Sequence, residues 1–267
     1  MTGSIYIHAL LTALALGVTT WLLSVFKRDV SIVDSIWSLM ILTTASVYIW
    51  HNETMGYREA LIYLLVLIWA LRLTIYLTWR NWGRPEDFRY QQIRAKYSPY
   101  FAIKSLLIIF VFQAVLAWLI SLPLLTTLTN SNPLSLVDTA AIFLWLVGMG
   151  FETIADFQLH RFKVNPNNKG KVLDTGLWRY SRHPNYFGEF CIWWGFYLFA
   201  VSSGEWWTII SPLMMTILLL RFSGVALLEK DIHERRPDYS AYIARTNAFL
   251  PGKPKNPVAT TAKEVGI

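Results

Sequence analysis

Uninterrupted apolar runs close to twenty residues long recur along the chain, and they restrict its folding more than any other feature. A helix rises about 1.5 Å per residue, so one such run covers the roughly 30 Å of a hydrocarbon core while pairing its own backbone groups. Runs of this kind occupy 4–26, 31–50, 58–79, 103–128, 134–159, 187–203 and 206–228. Hydrophobic residues make up 54% of the sequence and charged ones only 15%, which excludes an ordinary soluble domain of 267 residues. The expectation is an all-α integral membrane protein with seven transmembrane helices. The first run is too long for a signal-peptide core and no basic residue precedes it, so it reads as a retained helix.

The distribution of cations orients these spans. Arg80, Arg84, Arg89, Arg94 and Lys96 lie between runs three and four with Lys104 at the start of the fourth, and Arg161, Lys163, Lys169, Lys171, Arg179 and Arg182 lie between runs five and six. Seven more follow the last run, from Lys230 to Lys263, whereas the connections 51–57, 129–133 and 204–205 carry none. The positive-inside bias then places the amino terminus outside and the carboxyl terminus in the cytosol. The net charge of +7 is on this reading a topology signal, and no nucleic-acid partner is expected. A single domain over 1–252 followed by a flexible cytosolic tail, 253–267, fits the pattern.

Cys191 is the sole cysteine, so no intramolecular disulfide can form. The five histidines include no pair at helical ligand spacing, and no metal is expected.

Charge inside a membrane is costly and marks candidate functional positions. Asp34 lies one turn into the second run, Arg72 two turns from the end of the third, and Tyr76 one turn beyond Arg72 on the same face. Glu152 and Asp156 are four apart in the fifth run, Asn185 and Glu189 open the sixth, and Arg221 and Glu229 close the seventh. All fall in the cytosolic half. The outer half holds only Asp138 and Glu205, both expected near water. If purely structural, the set would consist of buried pairs such as Asp34 with Arg72. Buried pairs seldom outperform apolar packing, so charges drawn from five helices suggest a polar cavity open to the cytosol, and the basic loops beside it favour an anionic ligand.

The connection 160–185 sharpens that expectation. Turn formers are followed by "LWRYSRHPNYFGEF", in which Pro184 suits the first turn of a helix. A helix start presents free N–H groups to phosphate, and Arg179 and Arg182 add charge-assisted donors. Substituting Arg182 or Asn185 by Ala is accordingly expected to weaken ligand binding with little loss of folded protein.

The runs "DTGLWRYSRHPNYFGEFCIWWGFYL" and "LLEKDIHERRPDYSAYIARTNAFLPG" resemble the carboxyl-terminal half of the steroid 5α-reductase superfamily, and most closely its bacterial-type DUF1295 branch. "SIVDSIWS" and "RNWGRPEDFRYQQIR" are similar to the amino-terminal signatures of that branch. The resemblance implies NADPH in a cytosol-facing cavity, held by the half 134–252, and hydride transfer to the β-carbon of a conjugated ketone in a steroid-like or other lipid. Carried over by position, Glu152, Asp156, Arg161, Lys163, Arg179, Tyr180, Arg182, His183, Asn185, Arg221 and Glu229 would contact the cofactor, with Lys163 replacing a phosphate-binding Arg. Glu189 would lie near the nicotinamide ribose. The Gln-Glu dipeptide with which the steroid enzymes hold the substrate ketone does not occur in the first three runs. Asp34, Arg72 and Tyr76 are the nearest catalytic substitutes, and Asp34→Asn is expected to impair turnover while sparing cofactor affinity.

Related isoprenylcysteine carboxyl methyltransferases share an Arg-His-Pro…Tyr…Gly core. An S-adenosylmethionine-dependent membrane methyltransferase is therefore a second reading, and a non-enzymatic lipid-binding or transport protein a third. A bacterial inner membrane or the endoplasmic reticulum would accommodate any of them.

Overall fold

Five of the apolar runs become helices long and apolar enough to cross a membrane in the computed structural model, which describes residues 2–222, 236 and 238–255. They are α1 (Thr2–Lys27), α2 (Ile32–Trp50), α3 (Tyr57–Asn81), α5 (Phe101–Ile120) and α7 (Leu136–Val164). The short helix α4 (Phe88–Lys96) lies in the basic connection after α3. Its start is written in the sequence: Asp87 is the N-cap and accepts the Arg89 N–H at 3.0 Å. The sixth run is α8 (Pro184–Ser202), begun by Pro184 as expected. The seventh is represented by α9 (Trp206–Arg221), too short for a span by itself among the described residues. No strand occurs among them.

The run 103–128 departs from a single span. Its helix passes through a π-helical turn at Leu106–Val111, ends at Ile120 and restarts as α6 (Leu122–Thr129). Pro123 has no N–H to continue the ladder. Ser121 stands at the break and shares a 2.7 Å hydrogen bond with the Tyr48 hydroxyl. From Leu122 to Leu128 every residue of α6 is buried, and Thr126 and Thr127 satisfy their hydroxyls on the Pro123 carbonyl at 3.2 and 2.8 Å. This piece is thus an internal prop rather than the end of a span.

The chain divides into two compact units. The first comprises Met1–Asp138 with Phe196–Ser211. Its core gathers Met40, Ile41, Tyr48, Ile62, Val66, Trp69 and Phe110, all fully buried, while Leu11, Leu22, Ile75 and Leu107 stand exposed on the helix surfaces. Large outward apolar faces suit lipid and not water. The end bearing the connections without Lys or Arg holds a buried ion pair. Arg58 Nη2 meets Asp138 at 3.0 Å and also donates to the Phe199 carbonyl at 2.6 Å and the Ser202 hydroxyl at 2.7 Å. Asp138 was expected at a wetted edge, yet it is fully buried. A carboxylate can be taken from water when a guanidinium, a hydroxyl and the Ser135 N–H all donate to it.

The second unit comprises Thr139–Gly195 with Pro212–Ile267. In it α7 and α8 touch backbone to backbone. A Cβ on Gly188 would lie 2.6 Å from both the Glu152 nitrogen and the Gly148 oxygen, and one on Gly148 would lie 2.6 Å from the Gly188 oxygen. Small residues permit this approach where lipid gives helices no hydrophobic reason to associate. The connection after α7 folds back onto its last turns: Trp178 and Leu173 pack on Ala155, and Trp178 Nε1 donates to the Ala155 carbonyl at 3.1 Å. The short α10 (Tyr239–Arg245) and the segment after it close over the same connection, with the Gly252 N–H bonded to the Tyr180 carbonyl at 3.0 Å.

Candidate functional site

Each unit carries a polar cluster that includes residues singled out from the sequence. In the second, the glycine contact determines where the carboxylates go. Glu152 and Asp156 lie one turn apart on α7, and Asn185 and Glu189 lie one turn apart on α8. Asn185 Nδ2 donates to Asp156 Oδ1 at 3.3 Å, and Glu189 Oε1 accepts Trp193 Nε1 at 3.0 Å. Glu152, Asp156 and Glu189 are all buried. Glu152 and Asp156 on α7 and Glu189 on α8 are thus buried acceptors carried by two helices in direct contact, a type of group suited to hydroxyl donors. They are ill suited to phosphate, so the expectation that the start of α8 faces an anion is weakened by Asp156 standing there.

Cations occur two turns further along α7. A hollow of about 420 Å³ is lined by Phe162, Lys163, Asn165, Lys169, Gly170 and Arg236, among others. From Asp156 to Lys163 the rise along the helix is roughly 10 Å. The 3₁₀ turn Pro166–Asn168, capped by Asn165 and closed by the Lys169 N–H on the Pro166 carbonyl at 3.2 Å, lies between Lys163 and Lys169.

The remaining expected cofactor residues separate by environment. Arg161, Lys163, Arg179, Tyr180 and Arg221 are exposed, and Arg161 lies over the Phe157 ring at 5.7 Å. His183 is buried and stacks on Tyr186, ring centres 5.5 Å apart. Glu229 lies outside the described residues. Arg182 has a structural task that sequence reasoning did not foresee. It is 8% exposed, and Nη1 donates to the Thr246 carbonyl at 2.6 Å and the Ile243 carbonyl at 3.4 Å, capping the end of α10. Its own N–H donates to the Asn247 carbonyl at 2.9 Å. Charge-assisted bonds to carbonyls contribute about 1.5–3 kcal/mol. Arg182→Ala is therefore expected to destabilise the detergent-solubilised protein by about that amount, read as a lowered thermal midpoint, with Arg182→Lys recovering part of it. An unchanged midpoint would return Arg182 to a purely ligand-binding role.

In the first unit, the two amino-terminal signatures meet. Asp34 on α2 accepts Tyr90 Oη–H at 2.5 Å and Arg89 Nη2–H at 2.9 Å, and Arg89 Nε also donates to Asp87 at 3.0 Å. Gln113 Nε2 reaches the Tyr90 hydroxyl at 3.5 Å. Beside them Arg94 pairs with Glu86 at 2.7 Å, and the Val30 N–H donates to the same carboxylate at 2.9 Å. Asp34 thus pairs with Arg89 rather than Arg72. Arg72 and Arg80 instead lie on the Tyr76 ring at 5.3 and 5.6 Å, as cation–π geometry favours.

Burial and the facing Asp34 carboxylate push the Tyr90 phenol well above its ordinary range, so it remains a donor throughout neutral pH. Burial alone would raise Asp87, but bonds from the Arg89 side chain and N–H carry it below the usual carboxylate range. The guanidinium of Arg89 is raised in spite of burial by Asp34 and Asp87. Sequence reasoning missed Arg89, Tyr90 and Gln113. The available signal was the Pro85-Glu86-Asp87 helix start, which implies a helix able to turn Arg89 and Tyr90 inward.

Among the described residues no group of three or more His, Cys, Asp or Glu is arranged to hold a metal ion. A family model described as a protein of unknown function (DUF1295) matches residues 20–246. An uncharacterized protein of Schizosaccharomyces pombe is 27% identical over 279 aligned residues, covering 92% of this chain and 79% of the relative. No solved structure matches.

Proposed function

This chain belongs to the DUF1295 family, within the steroid 5α-reductase-like superfamily, and from that premise we propose an NADPH-dependent membrane reductase acting on a conjugated C=C bond of a lipid or steroid-like ketone. The observation that carries the reading is the succession of charge along α7, acceptors at Glu152 and Asp156 and then Lys163, which shares one hollow with Lys169 and Arg236 beyond the helix. A nucleotide has the complementary order. Its ribose hydroxyls donate to carboxylates and amides, and its phosphates take Lys and Arg.

When bound, the cofactor would supply hydride to the β-carbon. A proton at the α-carbon balances the reduction, and the ketone oxygen needs a donor as charge develops on it. Tyr90, kept protonated beside Asp34, would become such a donor on turning its single O–H from that carboxylate to the ketone oxygen, so we add it to Asp34, Arg72, Tyr76 and Glu189 as a catalytic candidate. The reading includes seven spans, α8 and the helix beginning at Trp206 being the last two, with the amino terminus outside and the carboxyl terminus cytosolic. A second reading, transfer of a methyl group from S-adenosylmethionine, is favoured by one observation. Three buried carboxylates suit a sulfonium and an ammonium group as well as they suit hydroxyls.

Thermal midpoints of the full chain with NADPH, NADH, S-adenosylmethionine and S-adenosylhomocysteine separate the readings, since a ligand that binds only the folded state stabilises it by RT ln(1 + [L]/Kd). The expected result is a rise with NADPH that is larger than with NADH. It should weaken at least tenfold in apparent affinity in Lys163→Ala/Lys169→Ala and in Asn185→Ala. Asp34→Asn and Tyr90→Phe should retain that rise and lose turnover of an enone lipid. Response to the adenosyl pair alone would replace the reductase by the methyltransferase, and response to none would favour lipid binding or transport.

A further inference from the structure

We propose that His8 and His51 form a two-imidazole site for a borderline divalent transition-metal ion, at the end of the first unit that bears the connections without Lys or Arg. The two residues are 43 positions apart, so spacing along one helix could not reveal them. His8 projects from the first third of α1, and His51 caps the carboxyl end of α2. Packing of α1 against α2 brings their rings to 5.6 Å between centres, inclined at 34°, and both residues are exposed on the protein surface.

Two features go beyond proximity. With metal–nitrogen bonds of about 2.0–2.1 Å, two imidazoles meeting at one ion in tetrahedral or trigonal geometry have ring centres roughly 5 to 5.5 Å apart. The observed 5.6 Å lies just outside that range. The second feature concerns the tautomer. His51 Nδ1 lies 2.9 Å from the Val47 carbonyl, and a carbonyl only accepts, so Nδ1 carries the proton and Nε2 presents its lone pair. Histidine ligands commonly have their other ring nitrogen bonded in this way, which orients the ring and raises its basicity. No third His, Cys, Asp or Glu completes a cluster here among the described residues, so solvent would fill the remaining positions. Such an open site holds an exchangeable ion.

Imidazole pairs rank divalent ions in the order Cu²⁺ above Zn²⁺, and Mg²⁺ prefers oxygen ligands. The test uses the full chain in detergent, without a histidine tag and stripped of metal by chelator. Titration with Cu²⁺ is expected to give one ion per chain, with nitrogen hyperfine structure from two imidazoles in electron paramagnetic resonance. Zn²⁺ should compete and Mg²⁺ should not. Either His8→Ala or His51→Ala should lower Cu²⁺ affinity at least about a hundredfold, beyond the roughly 10- to 100-fold that loss of an outer contact costs, while leaving the metal-free thermal midpoint in place. Copper bound with undiminished affinity by the double variant would overturn the proposal, because the ion would then sit on other histidines or on the chain terminus. So would the absence of copper binding in the unaltered chain.

Discussion

Gly188→Ala is expected to cost about 3 kcal/mol, the upper part of the range for overpacking a close contact, and to remove most monodisperse protein after solubilisation. The added Cβ would lie 2.6 Å from the Glu152 nitrogen and the Gly148 oxygen and 2.9 Å from Glu152 Cβ. Two of these atoms are backbone, so no rotamer change relieves the clash and α7 must move away from α8. The same displacement would part Asp156 from Asn185. A graded series isolates the cause. Gly148→Ala should match Gly188→Ala, with contacts of 2.6 to 2.8 Å. Gly195→Ala, facing the Ala141 oxygen at 3.0 Å and the Trp145 nitrogen at 3.2 Å, should cost less. Gly150→Ala meets nothing within 4 Å and should gain up to about 1 kcal/mol from helix propensity. Equal thermal midpoints across the four variants would remove the glycine contact as the organiser of the carboxylate cluster.

Asp138→Ala should be comparably damaging for a different reason. Arg58 and Asp138 expose 2% and 1% of their side chains. Removing the carboxylate leaves a buried guanidinium with only the Phe199 carbonyl and the Ser202 hydroxyl among the partners named above. Breaking a buried pair from one side costs about 3–5 kcal/mol, whereas replacing both members by apolar groups is often close to neutral. The double variant Arg58→Met/Asp138→Leu should therefore recover most of the stability that Asp138→Ala loses, as read by the thermal midpoint. If the double variant is as unstable as the single one, the pair stabilises by its own attraction and not merely by mutual neutralisation.

Particular residues mark how far the sequence could be read. The lengths of the first, second, third and fifth runs, the helix start at Pro184, and the candidate standing of Glu152, Asp156, Asn185 and Glu189 follow from periods, caps and the cost of charge in lipid, whereas the helix start at Asp87 was legible by the same rules and went unread. The break at Ser121 was also within reach, since Pro123 announces it, although the apolar run continues past it. Asp138 was misjudged because depth along a helix does not reveal which neighbour faces it. Arg182 was misjudged similarly: its charge is evident in the sequence, but the carbonyls it caps belong to residues more than sixty positions later.

What the amino-acid order determined by itself is the class of environment, a chain of membrane helices with ionisable groups gathered toward one set of ends. Hydropathy and charge act residue by residue, so they can be summed along the chain without coordinates. Tertiary structure alone decided the partners: Arg89 and Tyr90 on Asp34, Arg58 on Asp138, Asn185 on Asp156, and His8 beside His51. Pairing depends on which helix faces touch, and that is settled by close contacts such as Gly148 against Gly188, whose meaning appears only when the second helix is in place.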